Sequence, residues 1–259
     1  MHEDIAVRSR VRVVRYGEPA ARQYADQFCE LFHRLIPENQ QMSPTIILGH
    51  AAEGRLEDLS RGHDTQSAVP PIGYFLYLAV QDDRVIGFLN LLVVERNYAL
   101  IAYLGALPST GSASWKMLQT AWHDHANTLK SPFALIFEIA PPVAESARSS
   151  AKARLFTEYS RLRGLATRKA PIDYIQPDMV HEETAGTTEQ PADLYIASSP
   201  DALAAMSKQS YLRLVESIYF DVYVRTFRDL GEDYTRYISR LYEKLRARNE
   251  DIPSPSNSE

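Results

Sequence analysis

The sequence predicts an α/β (α+β) protein: a mixed central sheet flanked by helices, with a helical extension at the C-terminal end. Two observations carry that prediction. "YFLYLAV" (74–80), "RVIGFLNLLVV" (84–94) and "ALIAYLGAL" (99–107) are apolar runs of strand length, and the linkers "QDD" and "ERNY" suit consecutive antiparallel hairpins. A helical pattern at 114–130 and another apolar run, "PFALIFEIA" (132–140), follow at once, and strand–helix–strand in close order implies a parallel crossover. The runs are apolar almost throughout, so both faces of the sheet need cover.

The other elements follow in chain order. "RVRVVRY" (10–16) alternates basic and apolar residues and reads as a first strand. "AARQYADQFCELFHRLI" (20–36) places Tyr24, Phe28, Leu31, Phe32 and Leu35 at helical spacing, and Pro37 ends it. "PTIILGHAAEGRLEDL" holds a short helix, and the Pro70-Pro71 pair closes the loop after it. Trp115, Leu118, Trp122, His125, Ala126 and Leu129 recur at steps of three and four, the mark of an amphipathic helix. A long helix (144–163) ends near Gly164, and "ADLYIAS" (192–198) is the last strand. Beyond 200, two helical patterns break near Gly231. The second carries Tyr234, Tyr237, Ile238, Leu241 and Leu245 on one stripe. The expected organisation is a domain over 1–199, a helical extension over 200–249 that packs on it or pairs two subunits as a homodimer, and a disordered tail over 250–259.

Bulk properties exclude several functions. A net charge of -5 gives no electrostatic reason to hold nucleic acid. No apolar window is long enough to span a membrane. The start, "MHEDIAVRSR", lacks the apolar core of a secretory signal, and the single Cys29 forbids an internal disulfide, so the expected location is cytoplasmic. No metal is expected. His123 and His125 stand two apart on a helix and diverge, and His125 falls on the apolar stripe as a half-buried residue. Cys29 packs as a small apolar group in its helix. "GSASW" lacks the Gly-x-Ser-x-Gly pattern of a nucleophile elbow.

The stretch "YLGALPSTGSASWKMLQTAW" (103–122) runs from an apolar strand through a hydroxyl-rich turn into a helix. It reads either as a capped turn or as a cradle for phosphate groups. In the second reading, orphan amides and the helix dipole at the helix start hold the anion, and small residues let phosphate oxygens approach the main chain.

The order of elements over residues 10–200 resembles the GNAT N-acetyltransferase fold. That family carries, at the end of its fourth strand, Gln or Arg, two residues, Gly, one residue, then Gly or Ala. Here the stretch is Pro108-Ser109-Thr110-Gly111-Ser112-Ala113, with Gly111 and Ala113 matching and Pro108 where the family has Gln or Arg. "LIFEIAPPV", "ARLFTEYSRLRGL" and "IDYIQPDM" resemble a bacterial subgroup with an acidic residue on the fifth strand, an aromatic-rich fourth helix and a Tyr-x-Gln-Pro segment, here Tyr174, Gln176 and Pro177. The resemblance implies transfer of an acetyl or other acyl group from acyl-CoA to an amine acceptor, a small molecule or a peptide. Leu107, Ser109, Thr110, Gly111, Ser112, Ala113 and Ser114 would seat the CoA pyrophosphate. A non-catalytic CoA-binding or interaction module and a long-chain acyl transferase are the other readings.

Direct attack of an amine on a thioester needs a base but no enzyme nucleophile. The carboxylate that many GNAT enzymes carry on the fourth strand is missing from "ALIAYLGAL". Glu138, the one charge in "PFALIFEIA", is the replacement; burial would raise its pKa towards a useful range. Its other reading is a carboxylate that holds the sheet through backbone or Tyr hydrogen bonds. Glu95, at the end of the third strand, is the second candidate. Tyr159 is the nearest match to the family's thiolate-protonating Tyr, but its spacing to the following Gly is one residue longer than the family's, and it reads first as a packed core aromatic. Tyr174 could border the acceptor, and Gln176 could orient it. Residues 37–72 and 180–191 are expected to shape the acceptor pocket.

Overall fold

A computed structural model of the chain describes residues 10–56, 71–94, 97–110, 112–125, 134–139, 147–178 and 190–250. Its strands are β1 (Arg12–Arg15), β2 (Arg55–Leu56), β3 (Ile72–Gln81), β4 (Arg84–Val94), β5 (Tyr98–Ala106), β6 (Ala134–Ile139), β7 (Ala166–Lys169), β8 (Ile175–Gln176), β9 (Gln190–Pro191) and β10 (Asp193–Ser198). The helices are α1 (Ala25–Leu35), α2 (Pro44–Glu53), α3 (Ala113–His125), α4 (Ala147–Leu162), α5 (Pro200–Ala204), α6 (Lys208–Ser217) and α7 (Gly231–Glu250).

The main sheet runs β1-β3-β4-β5-β6-β10-β7, with β2 also on β3. All pairings are antiparallel except β5 with β6, so the expected crossover through α3 is present and the sheet is mixed. The β3–β4 hairpin turns on Asp82 and Asp83, both left-handed (φ 52 and 55), which matches the twist of the strands it joins. Asp83 also accepts from Arg12 at 2.9 Å, tying β1 to that turn.

The sheet separates two apolar layers, because alternate residues of each strand point to opposite faces. On one face Tyr74, Leu78, Phe88, Leu100 and Ile136 pack against α1, α2 and the C-terminal helices. On the other, Tyr77, Leu89, Ile101, Leu135 and Phe137 pack beneath α3 and α4.

Several boundaries differ from the sequence expectation. The first helix opens as a 3-10 segment, Pro19–Tyr24, before α1. The helix expected over 114–130 is described from 113 to 125; residues 126–133 and the tail at 251–259 lie outside the described residues. β7, "ATRK", was not expected from the sequence, since an edge strand with polar side chains carries no apolar alternation. The first C-terminal helix does not run straight to Gly231. α6 passes into a π-helical segment, Ile218–Val224, then a 3-10 turn, Arg228–Leu230, and Gly231 (φ 69) starts α7. The stripe on α7 does face inward, with Tyr234, Ile238, Leu241 and Leu245 buried and Tyr237 half-buried. α7 is also anchored by polar bonds: Asn249 accepts from the Asp173 amide at 3.0 Å, and Tyr237 accepts from the Asp178 amide at 2.8 Å.

Candidate functional site

β5 and β6 run side by side only as far as Ile101 opposite Phe137. β5 then continues to Ala106 paired with β4 alone. A bulge helps to set this divergence: Leu91 faces Ile101 and Asn90 faces Tyr103, which leaves Ala102 as an extra residue in β5. The result is a wedge whose one wall is the β5 edge from Ala102 onward. Glu138, the residue after Phe137, lies on the opposite wall.

Beyond β5, the chain closes a 3-10 turn, Pro108–Thr110, and enters α3. Leu107 is fixed by its amide bond to the Ile86 carbonyl (2.9 Å), and it accepts both the amide and the hydroxyl of Thr110 at 3.0 and 2.7 Å. The first α-helical bond runs from the Lys116 amide to the Ser112 carbonyl at 2.9 Å, so the amides of Ala113, Ser114 and Trp115 precede the intrahelical ladder. Ser112 is exposed, Ser114 half-buried and Ala113 fully buried. Gly111 lies outside the described residues, as does the side chain of Ser109. The β5 edge from Ala102 to Leu107 leads about 17 Å along the wedge to this helix start.

Glu138 is the chemical centre of the opposite wall. It is 8% exposed and points to the same face as Ile136. Tyr174 donates its hydroxyl to Oε1, and Tyr223 donates to Oε2 at 2.7 Å. Burial raises the carboxyl above its ordinary value, and the two tyrosyl hydrogen bonds partly offset that rise. The Gln176 side chain in turn hydrogen-bonds the Tyr223 hydroxyl. Tyr174, Gln176 and Glu138, expected separately from the sequence, are thus one cluster. Tyr223 was not expected. It sits in the π-helical turn of the C-terminal extension, where a tyrosine at helical spacing reads as core.

A small apolar cavity of ≈ 20 Å³ adjoins this cluster, walled by Leu100, Ala102 and Tyr103 of β5, by Met42, and by Tyr223 and Thr226. Thr226 is buried, and its hydroxyl has no hydrogen-bond partner among the described residues. Tyr103 closes the far side by donating to the Gln40 carbonyl at 2.9 Å and accepting the Met42 amide at 3.2 Å. The 37–72 region therefore reaches the cavity through Met42; residues 57–70 and 179–189 lie outside the described residues.

Tyr159 stands apart from this cluster. It belongs to the layer under α3 and α4, on the other face of the sheet from Glu138, is 1% exposed, and donates its hydroxyl to the Leu118 carbonyl at 2.8 Å. The structure therefore does not bring it together with Glu138 and Tyr174: α4 packs the opposite layer. Tyr159→Phe is expected to leave turnover near wild type and to cost about 1 kcal/mol of stability for one lost buried hydrogen bond, read by thermal melting. Glu95 lies outside the described residues. His125 is buried, hydrogen-bonds the Tyr77 hydroxyl at 2.9 Å, and is held below the ordinary histidine value by desolvation. Among the described residues, no group of three potential metal ligands occurs, and no helix is long and apolar enough to cross a membrane.

No protein-family model matches the sequence, and no curated protein does. Solved structures are similar to it at low identity. The diaminobutyrate acetyltransferase of Paenibacillus lautus, solved with L-2,4-diaminobutyric acid and coenzyme A, is 13% identical over 73% of this chain and 95% of its own, with a TM-score of 0.44. The ribosomal-protein-S18-alanine N-acetyltransferase of Escherichia coli is 12% identical over 74% of this chain and 94% of its own, with a TM-score of 0.42. A GNAT-family acetyltransferase of Staphylococcus aureus Mu50 is 11% identical over 72% and 98%, with a TM-score of 0.41. The likeness assigns no residue a role.

Proposed function

We propose that the chain is a GNAT-type N-acyltransferase that moves an acetyl group from acetyl-CoA to an amine. The observation that carries the reading is the wedge between β5 and β6, which runs from Glu138 to the start of α3. An extended pantetheine arm, with amides of its own, could lie along the β5 edge as a further strand would. Its pyrophosphate would then meet the amides that open α3, with the hydroxyls of Thr110, Ser112 and Ser114 around them. The thioester carbonyl falls near Ala102 and Glu138. The acceptor nitrogen attacks that carbonyl carbon, the N–C bond forms and the C–S bond breaks. The proton released by the amine passes to the Glu138 carboxylate, while the CoA thiolate leaves and takes a proton from solvent. The cavity beside Ala102 has room for about one methyl-sized group, which favours acetyl over long acyl chains.

Ser112→Glu tests the donor seat without disturbing the fold. A carboxylate in the first turn of a helix favours the helix dipole but repels a pyrophosphate. CoA affinity, measured by calorimetry, is expected to fall by about tenfold or more while the melting temperature holds or rises. Unchanged affinity would place the pyrophosphate elsewhere. A second reading, a CoA-binding module without turnover, is favoured by the burial of Glu138 and the engagement of both its oxygens. Acetyl-CoA binding with no thiol release across an amine panel would establish it.

A further inference from the structure

We propose that the groove between the outer face of α3 and the open edge of β1 docks an extended acidic peptide. The groove has a volume of ≈ 500 Å³, and three separate elements turn cationic or titratable bases into it: Arg10 ahead of β1, Lys116 and His123 of α3, and Arg163 after α4. Among the described residues, no carboxylate lines it and none of these four side chains is in a salt bridge. The chain as a whole carries a net charge of -5, so this convergence is not a surplus of basic residues spread over the surface.

The second observation is the strand beside the groove. β1 pairs with β3 in the register Arg12↔Val80, Val13↔Ala79 and Val14↔Leu78. The Tyr16 amide bonds the Leu76 carbonyl at 2.8 Å, so in this antiparallel ladder the main chain of Tyr16, Val14 and Arg12 faces β3. The N–H and C=O groups of Val11 and Val13 point the other way, and both residues line the groove. Among the described residues, no strand pairs with that side. Lys116 reaches the Val11 carbonyl at 3.4 Å, which leaves the Val13 groups and the rest of the edge to receive a partner. An added strand would satisfy them, and its side chains on the α3 side would recur about every 7 Å. Lys116 and His123 are roughly 10 Å apart along the helix axis, within reach of two such side chains. Acidic residues at alternate positions are the complement. The site lies on the solvent side of α3 and does not depend on the acyltransferase reading.

Fluorescence anisotropy with a labelled peptide of alternating Glu and Val, set against its Lys–Val counterpart, tests the proposal. The acidic peptide is expected to bind saturably and more weakly as salt rises, and the basic one not to bind. Lys116→Glu combined with Arg163→Glu should weaken binding by about tenfold or more. Val13→Pro removes an outward N–H and some packing beneath α3 but no β3 ladder bond, so it should keep a cooperative melt while weakening the peptide to a similar degree. Loss of binding in the charge variant with full binding in Val13→Pro would overturn the strand partner in favour of a general polyanion patch. Absence of saturable binding would mean that the four bases serve only to guard an exposed edge.

Discussion

Glu138→Gln is expected to slow acyl transfer by about 10²–10⁴-fold, the usual contribution of a positioned general base, and to abolish the acid limb of the pH–rate profile. The limb belongs to Glu138 because, among the described residues, the titratable groups that interact with its carboxyl are tyrosines. Tyr174 and Tyr223 donate to it, and Tyr98 and Tyr103 of β5, Tyr219 of the π-helical turn and Tyr234 of α7 stand around it. Burial is the dominant influence and raises the carboxyl from 4.5. The same shift acts on stability with the opposite sign. A group that binds its proton more tightly in the native state stabilises the fold below the unfolded pKa, and that contribution is lost as pH rises through the native one. Wild type should therefore lose stability relative to Glu138→Gln as pH rises from 4.5, over the window in which its activity appears. Pairing melting curves with turnover across that window separates the two roles. If the slope in stability disappears in the variant and turnover stays, Glu138 is a structural carboxylate held by two tyrosines.

How much of this was readable in the sequence depended on whether local pattern or tertiary contact fixed each feature. The hairpins of β3, β4 and β5 were legible because each is an apolar run ended by short polar linkers, and the crossover through α3 followed from order alone. β7 was not, since Thr167, Arg168 and Lys169 sit on an edge where one side of the strand meets solvent. Glu138 was legible as a charge in a strand that otherwise had to be buried. Its partners were only half legible: Tyr174 came from its segment, whereas Tyr223 is one of many tyrosines in a helical stretch. Its role is created by the π-helical turn that swings it across the sheet. The wedge was invisible because β5 and β6 are equally apolar; a one-residue bulge at Ala102, set by pairing with β4, helps to part them. Tyr159 shows the converse, since its core packing needed only its helical spacing, and α4 places it in the layer opposite Glu138.

Deleting the chain after Ser199 is expected to abolish folding, a larger effect than any single substitution. Residues 200–249 read from the sequence as an extension that packs on the domain or pairs two subunits, and Tyr211, Val215, Tyr219, Tyr223, Phe227 and Ile238 belong to one continuous apolar layer with the sheet. Without them Tyr74, Leu92, Leu100 and Tyr103 lose the wall formed by Val222, Tyr223 and Phe227, and Tyr98 loses its bond to Ser217. Burial of a large side chain stabilises by about 1.5–3 kcal/mol. Uncovering these five is comparable to the whole net stability of a domain, of order 5–15 kcal/mol. Glu138 would also lose its Tyr223 donor and meet water, so a fragment that did survive would carry an ordinary carboxyl. The truncated chain should aggregate or melt without cooperativity in calorimetry, and the full chain should elute as a monomer if this layer is the helices' only task. A soluble, cooperatively melting 1–199 fragment would return the helices to the status of an add-on, and a dimeric full chain would give α7 a second face to cover.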